Sequence, residues 1–210
     1  MTKLNDRFKR KTHIRDSSLI VIATEGEKTE PEYFHCLRSD NRHTTSRIHI
    51  EILPKVNSES SPRQVLNQLN EYKKSKQLNK YDTLWMVIDK DRWSDTDLNY
   101  VSKECQNNDY RLILSNPCFE IWLLLHLKDL ADYNDTEMNC ICCNKASIKR
   151  KIREFIRTFS NNDSIEMPLF MDKVHKAISH AKRVDRRPQD RWPTTYGTRV
   201  YLLVESITTH

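Results

Sequence analysis

Three short apolar runs, each broken off by a polar turn, constrain this chain more than any other feature. Leu19–Ala23 (LIVIA) runs into Thr24-Glu25-Gly26. Thr83–Ile88 (TLWMVI) runs into Asp89-Lys90-Asp91, and Tyr110–Leu114 (YRLIL) into Ser115-Asn116-Pro117. Such runs are too short for buried helices and fit strands covered on both faces. Ile48–Leu53 (IHIEIL) alternates and reads as a further strand. With helical segments between them, the order is β-α-β-α-β-α-β-α. This predicts an α/β fold: an open, mainly parallel four-stranded sheet with helices on both faces.

The helices have readable starts. The first is expected from about Pro31 to Leu37, with Thr29 and Glu32 as a capping box. Ser61 and Pro62 open a second to about Lys76, with Val65, Leu66 and Leu69 inward. A third lies around Asp97–Gln106. Asn116 as N-cap, with Pro117 at the first helical position, starts a fourth. Its sequence FEIWLLLHL is apolar almost all round and predicts deep burial, with His126 as a satisfied core residue. The last third predicts helices over about Ser147–Phe159, Met171–Val184 and Thr198–Ser206, with loops at Asn161–Asp163 and Arg187–Thr195. The organisation expected is a basic arm over 1–16, a catalytic domain over 17–130 and a basic, mainly helical C-terminal region over 131–210.

Composition excludes some classes. Hydrophobic residues at 37% and charged residues at 30% suit a globular domain rather than a disordered chain. No apolar run approaches the roughly 20 residues needed to cross a bilayer. The basic stretch at 1–16 is not followed by the apolar run of a signal peptide, so a cytoplasmic protein is expected. The six cysteines then read as reduced thiols. Cys140-x-Cys142-Cys143 lacks the second ligand pair of a usual zinc site. No G-x-x-x-x-G-K-[ST] motif is present, the two glycines being Gly26 and Gly197, so any nucleotide hydrolysis that controls this chain belongs to a partner.

Net charge is +6, unevenly placed: Lys145–Arg199 holds 14 Lys and Arg against 6 Asp and Glu. A basic segment joined to acidic turns suits phosphodiester chemistry, in which cations hold the backbone and carboxylates hold metal. Lys182, Arg183, Arg186 and Arg187 are the best cluster for a nucleic-acid backbone, with His175 and Lys176 weaker. Trp192 and Tyr196 either stack on a base or pack on the body.

Sites in open parallel sheets lie beyond the carboxyl ends of the strands. Glu25-Gly26 and Asp89-x-Asp91 fall there. Residues two apart at a strand end point the same way, so Asp89 and Asp91 can face one metal or two neighbouring metals, with Glu25 completing the cluster. Such hard oxygen ligands suit Mg²⁺ or Mn²⁺. Gly26 is expected to permit a sharp turn and close approach to a ligand. Lys90 points the other way and stays outside the set.

Glu25-Gly26 after one strand and Asp89-x-Asp91 after another resemble the TOPRIM domain of topoisomerases, primases and OLD-type nucleases. The fuller set, TEGEKTEPEYF, VIDKDRW, SNPCFEIWLLLH and later GTRVYLLVE, resembles the RloB family of bacterial proteins found near restriction and phage-defence genes. The resemblance implies a TOPRIM fold and metal-dependent cleavage of nucleic acid, with RNA, including tRNA, slightly ahead of DNA. It implies Glu25 as metal ligand or acid/base, and Asp89 and Asp91 as metal ligands. Glu120 is either a further site carboxylate or an anion in a helix's first turn. Glu30 is either a second-metal ligand or a helix-start acid. An ATPase encoded nearby is the implied regulator. The alternatives are a non-catalytic module that binds nucleic acid or a partner protein, and a nucleotidyl-transfer enzyme, which would need a nucleotide pocket for which the sequence carries no signature.

Overall fold

The computed structural model describes residues 17–55, 61–157 and 165–208. The expected arm at 1–16 and the Asn161–Asp163 loop lie outside these residues. The apolar runs form β1 (Ser18–Thr24), β3 (Thr83–Asp89) and β4 (Tyr110–Asn116), and the alternating run forms β2 (Ile48–Ile52). A short fifth strand, β5 (Gly197–Thr198), completes the order β2-β1-β3-β4-β5. The first four strands are parallel and β5 is antiparallel to β4. The four-strand expectation is therefore corrected to five. β5 is only two residues long, and two residues carry no periodicity to read.

Why the runs are continuously apolar is visible in their alternation. Ile20, Ile22, Trp85, Val87 and Ile113 point into one core, while Leu19, Val21, Leu84, Met86, Ile88 and Leu114 point into another. Successive side chains of a strand face opposite sides, so a strand with helices on both sides must be apolar at every position. The second core is closed by α2 (Pro62–Ser75) and α3 (Asp95–Asn108). The first and larger core is closed by α1 (Thr29–Ser39), α4 (Glu120–Leu127), α6 (Lys145–Arg157), α8 (Val174–Val184) and α9 (Val200–Thr208). Two short helices, α5 (Asp135–Cys142) and α7 (Pro168–Met171), complete the order. The C-terminal helices thus share a core with the sheet. No helix among the described residues is long and apolar enough to cross a membrane.

α2 follows expectation: Ser61 Oγ accepts from the Gln64 amide, and Val65, Leu66 and Leu69 are buried. Three other helix starts differ. Thr29 is already helical and Lys28 holds the N-cap position, so the Thr29–Glu32 capping box does not form. α5 was not expected; Asn134 and Glu137 cap it reciprocally. β4 runs on to Asn116 and α4 begins only at Glu120, so Asn116 and Pro117 do not start that helix. The reason is a division of labour between two polar groups. Asp89 Oδ1 accepts from the Phe119 amide at 2.8 Å, the place the sequence suggests for a cap. The Asn116 amide instead turns away and donates to the carbonyls of Pro193 and Thr195.

α4 is buried on every side from Glu120 to His126. Each fully buried leucine there contributes roughly 1.5–3 kcal/mol relative to exposure. His126 is satisfied as expected. Its Nδ1–H donates to the Trp122 carbonyl, and its Nε2 accepts from the Tyr33 hydroxyl. Arg199 fixes the loop over 185–196: Nε donates to Asp185 Oδ2 at 3.1 Å, and its two terminal nitrogens donate to the carbonyls of Asp190 and Arg187.

Candidate carboxylate and lysine site

The parallel register brings the acidic turns to one edge of the sheet. Glu25 follows β1 and its amide donates to the Val87 carbonyl on β3 at 3.0 Å. Asp89 ends β3 opposite Ser115 on β4. The amides of Lys90 and Asp91 both donate to the Pro117 carbonyl at 3.1 Å, which pins the turn before α4 against Asp89. Glu120 opens α4 and Glu30 lies in the first turn of α1.

Four of these carboxylates are buried: Glu25, Glu30, Asp89 and Glu120, at 3%, 3%, 6% and 0% exposure. Buried acids need compensation, and each has it. Glu25 Oε2 accepts from the Asp89 amide at 3.2 Å, and both its oxygens accept from Trp93 Nε1–H at 3.1 Å. Arg92 stands 3.6 Å from Glu25. Lys145, at the start of α6, places Nζ 3.2 Å from Glu120 Oε2 and 3.7 Å from Asp89 Oδ2. Lys149, one turn on, reaches Glu120 Oε1 at 3.3 Å.

The crowding shows in the acidities. Burial raises the pKa of Glu25, against the hydrogen bonds from Asp89 and Trp93. Burial also raises Glu30, with the charges of Glu120 and Glu25 adding to it and Lys145 opposing. Asp89 is pushed well above the usual carboxylate range, first by burial and then by the charge of Glu30. Lys145 is held protonated: burial disfavours its charge, but Glu120, Asp89 and Glu30 outweigh that.

Gly26 acquires a different reason from the one its position in the sequence suggests. Its φ is not positive. A Cβ there would lie 2.0 Å from Glu30 Oε2 and 2.4 Å from Glu30 Cδ. The group passing close over the glycine is the Glu30 carboxylate of the protein itself.

Asp91 stands at the rim, its side chain 28% exposed and 3.5 Å from Arg92 Nε. β3 ends at Asp89, so the two-residue alternation that aligns Asp89 with Asp91 does not extend to Asp91. Lys182, Arg183, Arg186 and Arg187 lie elsewhere. Lys182 pairs with Glu205, and Arg183 with Asp129 and Asp132. Arg186 and Arg187 line a hollow with Pro193, Thr194 and Thr195. A separate pocket beside the carboxylates is lined by Lys28, Lys55, Arg92, Lys145 and Lys149, with Gly26, Glu27, Thr29 and Glu30. Trp192 packs partly buried on the second core and Tyr196 on the first, where its hydroxyl donates to Asn139. His175 and Lys176 are exposed, the former 5.6 Å from the His43 ring.

Sequence reasoning missed Trp93, Arg92, Lys145 and Lys149. The one available signal was the four-residue spacing of Lys145 and Lys149, which puts them on one helix face. The same spacing describes most solvated helix faces.

The donor set is all oxygen, which fits a hard divalent cation better than a soft one. Glu120 is wholly buried, and its compensation comes from the two lysine ammonium groups at 3.2 and 3.3 Å. Among the described residues, no three His, Cys, Asp or Glu side chains are already grouped as a metal-holding set. The carboxylates fit such an ion in chemistry and burial, and Lys145 is the cation that now serves them. The described cysteines are all unpaired with one another, and Cys142 is buried while Cys140 and Cys143 are exposed.

A family model described as RloB-like protein matches residues 20–207. No curated protein and no solved structure matches the chain.

Proposed function

This chain belongs to the RloB-like family, and we propose that it is a metal-dependent nuclease that hydrolyses phosphodiester bonds in bacterial anti-phage defence. The observation that carries this reading is the gathering of buried carboxylates from the ends of two parallel strands and the starts of two helices. The arrangement is in keeping with a TOPRIM-like site. Glu25, Asp89 and Glu120, with Glu30 and the rim Asp91, would hold Mg²⁺ or Mn²⁺. When bound, such an ion supplies Lewis acidity and an acidified water.

The chain's own residues supply the rest. Lys28, Lys55, Arg92 and Lys149 line the pocket beside the acids and offer positive charge to a phosphate backbone. Glu25, its pKa raised by burial, can accept and hold a proton at Oε nearer neutral pH than an ordinary glutamate can. Trp93 and the Asp89 amide orient that carboxylate. RNA as substrate ahead of DNA and an ATPase partner as regulator belong to the same proposal and rest on the family resemblance; a cytoplasmic place of action joins them on the composition of the chain.

A second reading, a non-catalytic module that binds nucleic acid or a partner protein, is favoured by one observation. Lys145 already balances part of the charge of Asp89 and Glu120, which lessens the cluster's need of a metal. One assay separates the two. Labelled tRNA, single-stranded RNA and plasmid are incubated with the purified chain and Mg²⁺ or Mn²⁺, with and without EDTA and the candidate ATPase. The nuclease reading expects EDTA-sensitive cleavage that disappears in the Asp89→Ala/Asp91→Ala variant. Cleavage that survives that variant removes the metal assignment. Binding without cleavage under every condition selects the second reading.

A further inference from the structure

The cation among the carboxylates differs in kind from their other partners. Asp89 Oδ1 and both Glu25 oxygens are held by directional hydrogen bonds from groups fixed in the fold: the Phe119 amide, the Asp89 amide and the Trp93 indole. Glu120 is met instead by Lys145 and Lys149, at 3.2 and 3.3 Å, through ammonium heads on flexible stems rather than groups fixed in the fold. Lys145 also faces Asp89 Oδ2 from 3.7 Å, beyond hydrogen-bond reach.

The lysine side chains can move without the helix that carries them. Ile148, Ile152 and Ile156 bury the inner face of α6 and fix its place. The side chains of Lys145 and Lys149 are 40% and 34% exposed and therefore reach inward from the solvent side. A lysine is a point charge on a flexible four-carbon stem, so its head can leave while its backbone stays. Space for the displaced heads exists: both lysines also line the pocket formed with Gly26–Glu30, Lys55 and Arg92.

A doubly charged ion gains about twice the coulombic energy of an ammonium at equal distance. Against an ammonium head on a flexible stem, it has no group fixed in the fold to displace. We propose that Lys145 is an exchangeable internal counter-ion, holding Asp89 and Glu120 until a divalent cation displaces it into the adjoining pocket. Lysine and metal thus compete for the same carboxylates, and the freed ammonium is placed to meet a phosphate oxygen. This rests on the metal-holding role proposed above.

The test is direct binding of Mn²⁺ alone, by isothermal titration, to the wild-type chain and to Lys145→Met. Removing a competing unit charge at this range should tighten Mn²⁺ binding by about tenfold or more. Thermal unfolding gives a second readout: Lys145→Met should melt below wild type in EDTA and recover the difference at saturating Mn²⁺. Lys145→Gln, which keeps length and polarity, should move in the same direction. Lys149→Met should show a smaller effect, and Lys151→Met, whose lysine pairs with Glu154, should show none. Equal or weaker Mn²⁺ binding by folded Lys145→Met and Lys145→Gln overturns this proposal and leaves the nuclease reading standing. Absence of Mn²⁺ binding by every protein overturns both.

Discussion

Trp93 donates its indole N–H to both oxygens of Glu25, at 3.1 Å each. Indole is donor only and cannot compete with the carboxylate for a proton or a cation. It therefore orients Glu25 without competing for its charge. Trp93→Phe keeps an aromatic ring over the second core and removes only the donor. Because Glu25 is buried, the variant should lose about 1–3 kcal/mol in urea unfolding. Trp93→Phe in a Glu25→Gln background should lose less. Equal losses in the two backgrounds would show that the indole acts by packing alone.

Gly26 and Glu30 form a second testable pair. A Cβ on residue 26 would overlap the Glu30 carboxylate, while the backbone there is not in the left-handed region. Gly26→Ala should therefore destabilise the protein chiefly by displacing Glu30. Gly26→Ala combined with Glu30→Ala should be less harmful than the two single changes added together, with a coupling of about 0.5–3 kcal/mol. Simple additivity would point to the backbone instead.

His126 sets a pH dependence of known sign. Burial pushes its pKa from 6.5 down to about 3. The unfolded chain takes up a proton near the higher value and the folded chain does not until the lower one. The stability contributed by neutral His126 is thus full above the unfolded pKa and is lost progressively as pH falls towards about 3. Each pH unit in that window costs about 1.4 kcal/mol. The carboxylates with raised pKa act in the opposite sense, so the comparison must be with His126→Asn. That variant should show a shallower stability loss than wild type between about pH 6.5 and 5 in urea unfolding. An unchanged slope would remove His126 from the account.

Arg199 spans Asp185, Arg187 and Asp190 with one planar group. Lysine keeps the charge and cannot make the same fork of contacts. Arg199→Lys should leave helix content intact and make residues 186–196 cleavable by trypsin at lower protease concentration. An unchanged cleavage pattern would mean that Asn116, which donates to Pro193 and Thr195, suffices to hold the loop.

Burial on both sides of a strand leaves its mark in single residues, and this is why the sheet was readable. Val21 and Ile22 are adjacent, equally buried, and point into different cores. Glu25, Asp89 and Glu120 were readable because each immediately follows, ends or opens a strongly apolar element. Capping was less readable, since a cap is decided by competition. Asn116 has the right chemistry, but Asp89 takes the Phe119 amide through a contact 30 residues distant in sequence. Trp93, Lys145 and Lys149 were invisible for a related reason. Nothing local distinguishes an indole that meets a carboxylate 68 residues away, or a helix-surface lysine that turns inward.

The lysines that face Glu120 come from α6, whose first turn is reached only after β1 to β4 and α4 are complete. A chain growing on the ribosome therefore exposes Asp89 and Glu120 before it has made the lysines that face them. Until residue 149 has emerged and α6 has docked, the acids must remain in water or borrow cations from solution. The docking of α6 onto α4 is thus also the step that brings the lysine charges to Asp89 and Glu120. In a chain folding from its N-terminus, a phosphodiester-cleaving centre of this design would stay incomplete until most of the protein has been made.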